Sequence, residues 1–168
     1  MITAPHLHAM VIHFPIALLM VGFLSEGISL FSKNEFFKKA SFYLLILGTL
    51  GAIVAFLSGR YASEGMTDGM FQEPLGMHEE AAFVTLSLAI ANVIFKTVFY
   101  FINYQKSWVK WVSFTLFGFL IGSVARTGYL GGELVFKHGA GIQLVLPDFR
   151  DHSNNQFQIH ESFSTRFK

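Results

Sequence analysis

Four long apolar segments, separated by shorter polar ones, dominate the pattern of this sequence. They cover roughly residues 10–31, 39–58, 81–102 and 109–130. A helix needs about 20 apolar residues to cross the hydrocarbon core of a bilayer, and each segment has about that length. Short connections favour neighbouring helices that run in opposite directions. The pattern therefore predicts an all-α fold, an integral membrane four-helix up-down bundle.

The composition supports a membrane protein and excludes several other classes. Of the 168 residues, 52% are hydrophobic and 14% are charged, and the mean hydropathy is +0.48, which is extreme for a soluble domain. A net charge of +1 provides no broad basic surface, so nucleic acid is not an expected partner. The lack of Cys excludes thiolate metal sites and covalently attached haem. We expect a four-helix transmembrane domain over residues 1–142 and a polar C-terminal tail over 143–168.

The charges of the connections predict how the bundle is oriented. Lysines cluster in the two short connections, around residues 33–39 and 106–110, whereas the connection 59–80 is net acidic. Loops rich in Lys and Arg stay in the cytoplasm, so the two short connections are expected there. Both termini and the connection 59–80 are then expected on the periplasmic or outer side.

Five of the seven histidines border the apolar segments at what should be one end of the bundle. They are His6, His8, His13, His78 and His138. Clustered imidazoles are typical ligands of haem iron and other metals. His13 and His78 lie on diagonal helices of an up-down bundle, which lets two imidazoles clamp a flat macrocycle. We predict these two as the axial metal ligands, with His8 and His138 as the next pair.

Glycines and arginines at the same end favour haem as the occupant. The glycines are Gly59, Gly128, Gly131 and Gly132, and they would let the backbone approach a porphyrin face. Arg60 and Arg126 are expected to neutralise the two propionates, because guanidinium groups pair well with carboxylates. The alternatives for Arg126 are that it extends to the lipid headgroups or pairs with Glu133. The predicted cofactor is haem b.

Copper is the main chemical alternative to haem. Met66, Met70 and Met77 join the histidines at this end, and thioethers together with imidazoles favour Cu(I). A structural subunit of a membrane complex is a further alternative. Inside the spans, Glu26 and Lys96 either pair across the bundle diagonal, or Lys96 extends to the interface while Glu26 faces a polar gap.

Four blocks of this sequence resemble a bacterial membrane family known as domain of unknown function 2231. The blocks are HLHAMVIHFPIALL at 6–19, SGRYA at 58–62, His78 at the start of the third helix, and TGYLGGELVFKHGAG at 127–141. The resemblance covers roughly residues 5–142. It implies a cytochrome-like four-helix protein of the bacterial inner membrane, in a family whose domain is joined to redox modules such as Rieske or cytochrome c domains, and the five histidines above match the family's motif histidines. Bis-His ligation leaves no open position on the iron. The predicted function is therefore electron transfer with a redox partner protein or membrane complex, as a relay more than a catalyst.

Overall fold

Four long helices build the whole of the described structure. The computed structural model describes residues 3–32, 34–64, 69–102 and 106–140, the side chain of Met70 excepted. The helices are α1 (Ala4–Phe31), α2 (Glu35–Ser63), α3 (Gln72–Phe101) and α4 (Ser107–Phe136), and a short 3₁₀ turn (Gly69–Phe71) precedes α3. Within these ranges there is no strand. The predicted all-α fold of four membrane-length helices is confirmed.

Some of the predictions fall outside the described residues. They concern the tail 143–168, its boundary at residue 142, Met66 and the side chain of Met70. These stay predictions.

The helices extend beyond the apolar segments at one end of the bundle. There, α1 begins six residues before its segment (4 against 10) and α3 nine residues before (72 against 81), while α2 ends five residues later (63 against 58) and α4 six (136 against 130). Hydropathy falls where polar residues begin, but helical hydrogen bonding continues through them. Helices of 28 to 30 residues are about 42–45 Å long, against a hydrocarbon core of about 30 Å. We call this end, formed by residues 4–13, 55–63, 72–81 and 127–138, the histidine end. The opposite end, with the connections 32–34 and 102–106, is the lysine end.

The bundle consists of two helical hairpins. The packing between α1 and α2 and that between α3 and α4 is the most extensive, while α2 with α3 and α1 with α4 join the two hairpins. Consequently α1 and α3 are diagonal partners, as predicted for an up-down bundle. Side chains of α1 and α3 that point inward can therefore meet only across the centre of the bundle.

The distribution of polarity is that of a protein surrounded by lipid. Large apolar side chains lie on the outside, where Phe14 and Phe119 are each 65% exposed. The buried apolar layer at the centre is small and consists of Leu19, Leu45, Ala89, Phe117 and Leu120. Lipid tails are as apolar as these side chains, so association of the helices depends on close packing and on buried polar contacts.

One such polar contact links all four helices on the lysine-end side of the apolar layer. The Lys96 ammonium donates to Glu26 Oε2 at 2.7 Å and to Ser41 Oγ at 2.9 Å. The hydroxyls of Ser41 and Ser113 donate to the two oxygens of the same carboxylate, at 2.7 and 2.9 Å. The side chains of Lys96 and Glu26 are only 11% and 9% exposed, and the ammonium also lies 5.1 Å from the centre of the Phe117 ring. Of the two alternatives for Glu26 and Lys96, the pair across the diagonal is confirmed.

Close helix approach within the first hairpin depends on a glycine opposite a leucine. A Cβ added at Gly48 would lie 2.7 Å from Cδ2 and 2.8 Å from Cγ of Leu19, whose side chain is 1% exposed. Because the buried leucine has no free space to move into, the two helices would have to separate. The small residue therefore sets the distance between α1 and α2.

We predict that Gly48→Ala lowers the free energy of unfolding by about 1–3 kcal/mol, the usual cost of overpacking a core. The measurement is unfolding of the purified protein by titration of SDS into mixed micelles. Gly122→Ala is the matched control, since an added Cβ there meets no described atom within 4 Å and alanine favours a helix over glycine by up to about 1 kcal/mol. Equal stability of the two variants would contradict this account of the packing.

Candidate functional site

His8 lies at the histidine end on the face of α1 that packs against α2. Its Nδ1 is 3.0 Å from Ser58 Oγ, and the ring also interacts with the backbone of Ala55. The ring rests on Gly59, where an added Cβ would lie 3.0 Å from the imidazole Cε1. The glycine thus provides the space in which this imidazole packs.

His78 occupies the corresponding place in the second hairpin. Its Nδ1 is 3.2 Å from the carbonyl oxygen of Thr127 on α4, and an added Cβ at Gly131 would lie 3.1 Å from its Cε1. Both imidazoles are half-buried at the histidine end, within the range over which a charge on one ring acts on the other. The structure therefore places His8 and His78 at the same end of diagonal helices.

The hydrogen bonds determine which ring nitrogen is free in each imidazole. A carbonyl oxygen only accepts, so Nδ1 of His78 must carry the proton that it donates to Thr127. Ser58 Oγ also lies 2.9 Å from the carbonyl oxygen of Ala55, and when the hydroxyl donates there its oxygen accepts from Nδ1 of His8. In the neutral form, both rings then have a lone pair on Nε2.

A chain of hydroxyls extends from His78 toward the centre of the bundle. The side-chain oxygen of Thr85 lies 2.7 Å from that of Ser123 and 2.8 Å from that of Thr127, whose carbonyl accepts from His78. Sequence reasoning missed these residues, as it missed Ser58 and Ala55. The available signal was spacing: Thr85 follows His78 by seven residues, and Ser123 and Thr127 are four apart, so each pair shares a helix face.

The remaining predicted site residues of α1 and the two arginines lie on the outside. His6 and His13 are exposed on α1, as are Arg60 on α2 and Arg126 on α4. Two helical turns separate His6 from His13, so they share a face that does not include His8. An added Cβ at Gly128 or Gly132 meets no described atom within 4 Å. The predicted pair of His13 with His78 stays a prediction, with His13 on the outer surface of the bundle.

His138 borders a separate small cavity between the start of α3 and the end of α4. The cavity measures about 290 Å³ and is lined by Glu73, Pro74, Met77, Leu130, Glu133, Lys137 and His138. His138 Nδ1 lies 3.2 Å from the carbonyl oxygen of Glu133, so this ring also has its Nε2 free. The Glu133 carboxylate pairs with Lys137 and accepts from Tyr129 at 3.0 Å. The hydrogen bond between Glu133 and Lys137 raises the pKa of Lys137 above the ordinary value for lysine.

The acidic and imidazole side chains do not converge into a larger cluster. Across the four described ranges, no group of three His, Asp or Glu side chains is placed to hold one metal ion. The candidate ligands that share a location are the two half-buried imidazoles at the histidine end, and an imidazole with a thioether at the small cavity.

Comparisons with known proteins agree with the resemblance seen in the sequence blocks. Residues 4–144 match the model of a family described as a predicted membrane protein, DUF2231. No curated protein and no solved structure shows significant similarity to the chain. The match covers most of the 168 residues, including all four helices and the histidine end. The chain therefore belongs to the DUF2231 family of membrane proteins.

Proposed function

We propose that this membrane protein binds haem b between His8 and His78 and transfers electrons for a redox partner. When bound, haem supplies a one-electron redox centre, and two imidazole ligands leave it no open position for substrate chemistry. The protein is then a relay and not a catalyst.

The observation that carries the proposal is that the two imidazoles have the same hydrogen-bonding arrangement. Nδ1 of His78 donates to a carbonyl, and Nδ1 of His8 lies 3.0 Å from a hydroxyl that has its own carbonyl acceptor. This arrangement leaves the lone pair of Nε2 available in both rings. Metal-bound histidines almost always donate their other ring N–H in this way, because the bond holds the tautomer and the ring orientation. Two such rings on diagonal helices can bind opposite faces of one flat macrocycle.

The choice of His8 in place of His13 follows from burial. His8 is half-buried, packs on Gly59 and interacts with His78, whereas His13 is exposed on the other side of α1. Gly59 and Gly131 then serve the ligands and not the porphyrin, because each provides space for an imidazole. The roles of Gly128 and Gly132 in leaving clearance for the porphyrin remain part of the proposal.

Two arginines at the histidine end can receive the haem propionates. Arg60 and Arg126 are exposed near the histidine end, where a guanidinium can neutralise a propionate. The lysine end faces the cytoplasm by the positive-inside rule. The haem would then lie near the outer face of a bacterial inner membrane, within reach of a periplasmic redox protein or a membrane complex.

We predict a sharp α-band in the dithionite-reduced optical spectrum of the detergent-purified protein. His8→Ala and His78→Ala should each abolish most of the band, because each removes one axial ligand. His13→Ala is the matched control on the same helix and should retain the band. If His13→Ala lost it while His8→Ala retained it, the ligand pair would be the one predicted from sequence, and an absence of haem from the wild-type protein would contradict the proposal.

A second prediction tests the imidazoles without any cofactor. In ¹⁵N spectra of histidine-labelled protein, at a pH where the rings are neutral, His8 and His78 should both be protonated at Nδ1 and bare at Nε2. The variants His8→Gln and His78→Gln assign the signals, and the exposed His6 and His13 serve as internal references. Protonation at Nε2 in either ring would remove the lone pair on which the proposal depends.

Copper handling is a second candidate, favoured by the small cavity. His138 has its Nε2 free and shares the cavity with the Met77 thioether, a ligand combination that suits Cu(I). In this case the purified protein would be colourless and contain copper by elemental analysis. Met77→Leu and His138→Ala would both lower the copper content, while His8→Ala would not.

A further inference from the structure

Inward residues of α1 can be paired with the residues 70 positions later in α3, and the paired residues occupy equivalent places in the bundle. Leu19 and Ala89 are both in the central apolar layer, and Gly22 and Asn92 are both buried next to it. Four inward positions match: Pro15 with Thr85, Leu19 with Ala89, Gly22 with Asn92 and Glu26 with Lys96. The other two buried positions, Ser25 and Ala81, correspond to the partly buried Phe95 and Val11. The same shift matches His8 with His78.

The second helices of the two hairpins match with a shift of 72 residues. Lys38, Ser41, Phe42 and Leu44 recur as Lys110, Ser113, Phe114 and Leu116, a repeated Lys-x-x-Ser-Phe-x-Leu pattern. The two extra positions are accounted for by the connections, since 32–34 has three residues and 102–106 has five. Self-similarity at a fixed spacing is the sign of a structural repeat.

Contacts inside one hairpin recur at the matched positions of the other. Pro15 packs on Gly51, and the matched residues Thr85 and Ser123 are hydrogen-bonded. Gly22 lies against Leu44, and the matched Asn92 donates to the carbonyl of Leu116. In the central layer the sizes are exchanged: large Leu19 faces Gly48 in the first hairpin, and their counterparts in the second hairpin are small Ala89 and large Leu120.

The two imidazoles of the proposed site and the glycines beneath them obey the same correspondence, whereas Ser58 corresponds to Leu130. His8 interacts with the backbone of Ala55, and His78 donates to that of Thr127, 72 residues later. The two rings rest on Gly59 and Gly131, which are again 72 residues apart. His6 and His13 would correspond to Gly76 and Phe83, so neither has a matching histidine.

Matched residues that touch one another locate the centre of the repeat. In a two-fold arrangement a residue can contact its own counterpart only near the axis. Glu26 pairs with its counterpart Lys96, and the counterparts Ser41 and Ser113 both donate to the Glu26 carboxylate. His8 and His78, which rest on the matched glycines Gly59 and Gly131, then lie on opposite sides of the same axis. The axis therefore passes through both the charged cluster and the imidazole pair, along the length of the bundle.

We infer that the chain is a tandem repeat of one helical hairpin, and that its ligand site lies on the two-fold axis with one imidazole from each repeat. A ligand at such a site must present two equivalent faces, each of which binds one imidazole nitrogen. A planar metallomacrocycle has this symmetry. This statement about the ligand rests on the proposed function, whereas the repeat itself does not. Parallel repeats about an axis along the membrane normal are a known way to build membrane proteins.

The test is an exchange of the two charges that meet on the axis. Glu26→Lys and Lys96→Glu alone place like charges together and should strongly lower the thermal midpoint measured by loss of the monodisperse size-exclusion peak. The double exchange Glu26→Lys with Lys96→Glu should recover most of that loss, because Ser41 and Ser113 are equivalent around the axis. Recovery falls short of complete, since Lys96 lies over the Phe117 ring and the residue that corresponds to Phe117 in the first hairpin is Leu45.

Two further measurements test the equivalence of the two hairpins without any haem. The neutral double variant Glu26→Gln with Lys96→Gln is the control for loss of charge, and a neutral variant that folds while the exchanged one does not would overturn the equivalence. Gly59→Ala and Gly131→Ala should lower the thermal midpoint by similar amounts relative to Gly122→Ala, because each displaces a matched imidazole. A clear inequality between them would also overturn it. Failure of the haem proposal shows separately, as a missing α-band.

Discussion

The buried pair of Glu26 and Lys96 is the interaction on which the bundle depends. Two charges within a bilayer are costly unless they are paired and fully hydrogen-bonded, and here the ammonium and two serines surround the carboxylate. Loss of one partner from such a pair typically costs about 3–5 kcal/mol. The cluster includes a residue from every helix, so displacement of α1 or α3 would leave a buried charge unpaired, and displacement of α2 or α4 would remove a serine hydrogen bond from the carboxylate.

The alignment of the four helices that this cluster fixes also positions the layers between it and the histidine end. Above the charged cluster, the central apolar layer separates it from the hydroxyls of Thr85, Ser123 and Thr127. Beyond these lie the two imidazoles, each held against a glycine of its hairpin partner. Since each hairpin packs most closely on itself, the orientation of each imidazole is determined inside one hairpin, and the charged cluster determines how the two hairpins face each other.

Hydropathy and loop length were sufficient to predict the fold, because spans and an up-down order follow from them. They could not decide which histidine of the first helix points inward. His8 and His13 are about 140° apart around a helix, and both flanking surfaces are apolar in a membrane protein, so amphipathicity does not reveal the inner face. Burial is what separates them. The matched spacing of His8 with His78 and Glu26 with Lys96 was present in the sequence, and it would have favoured His8.

The central claim is that His8 and His78 face each other across the bundle while His13 does not. The chain has no Cys, so paired cysteines can be introduced cleanly, and a bifunctional methanethiosulfonate reagent reports their proximity by intact mass. We predict that His8→Cys with His78→Cys is bridged by one reagent molecule, and that His13→Cys with His78→Cys takes two separate molecules. Bridging of the second pair without the first would contradict the account.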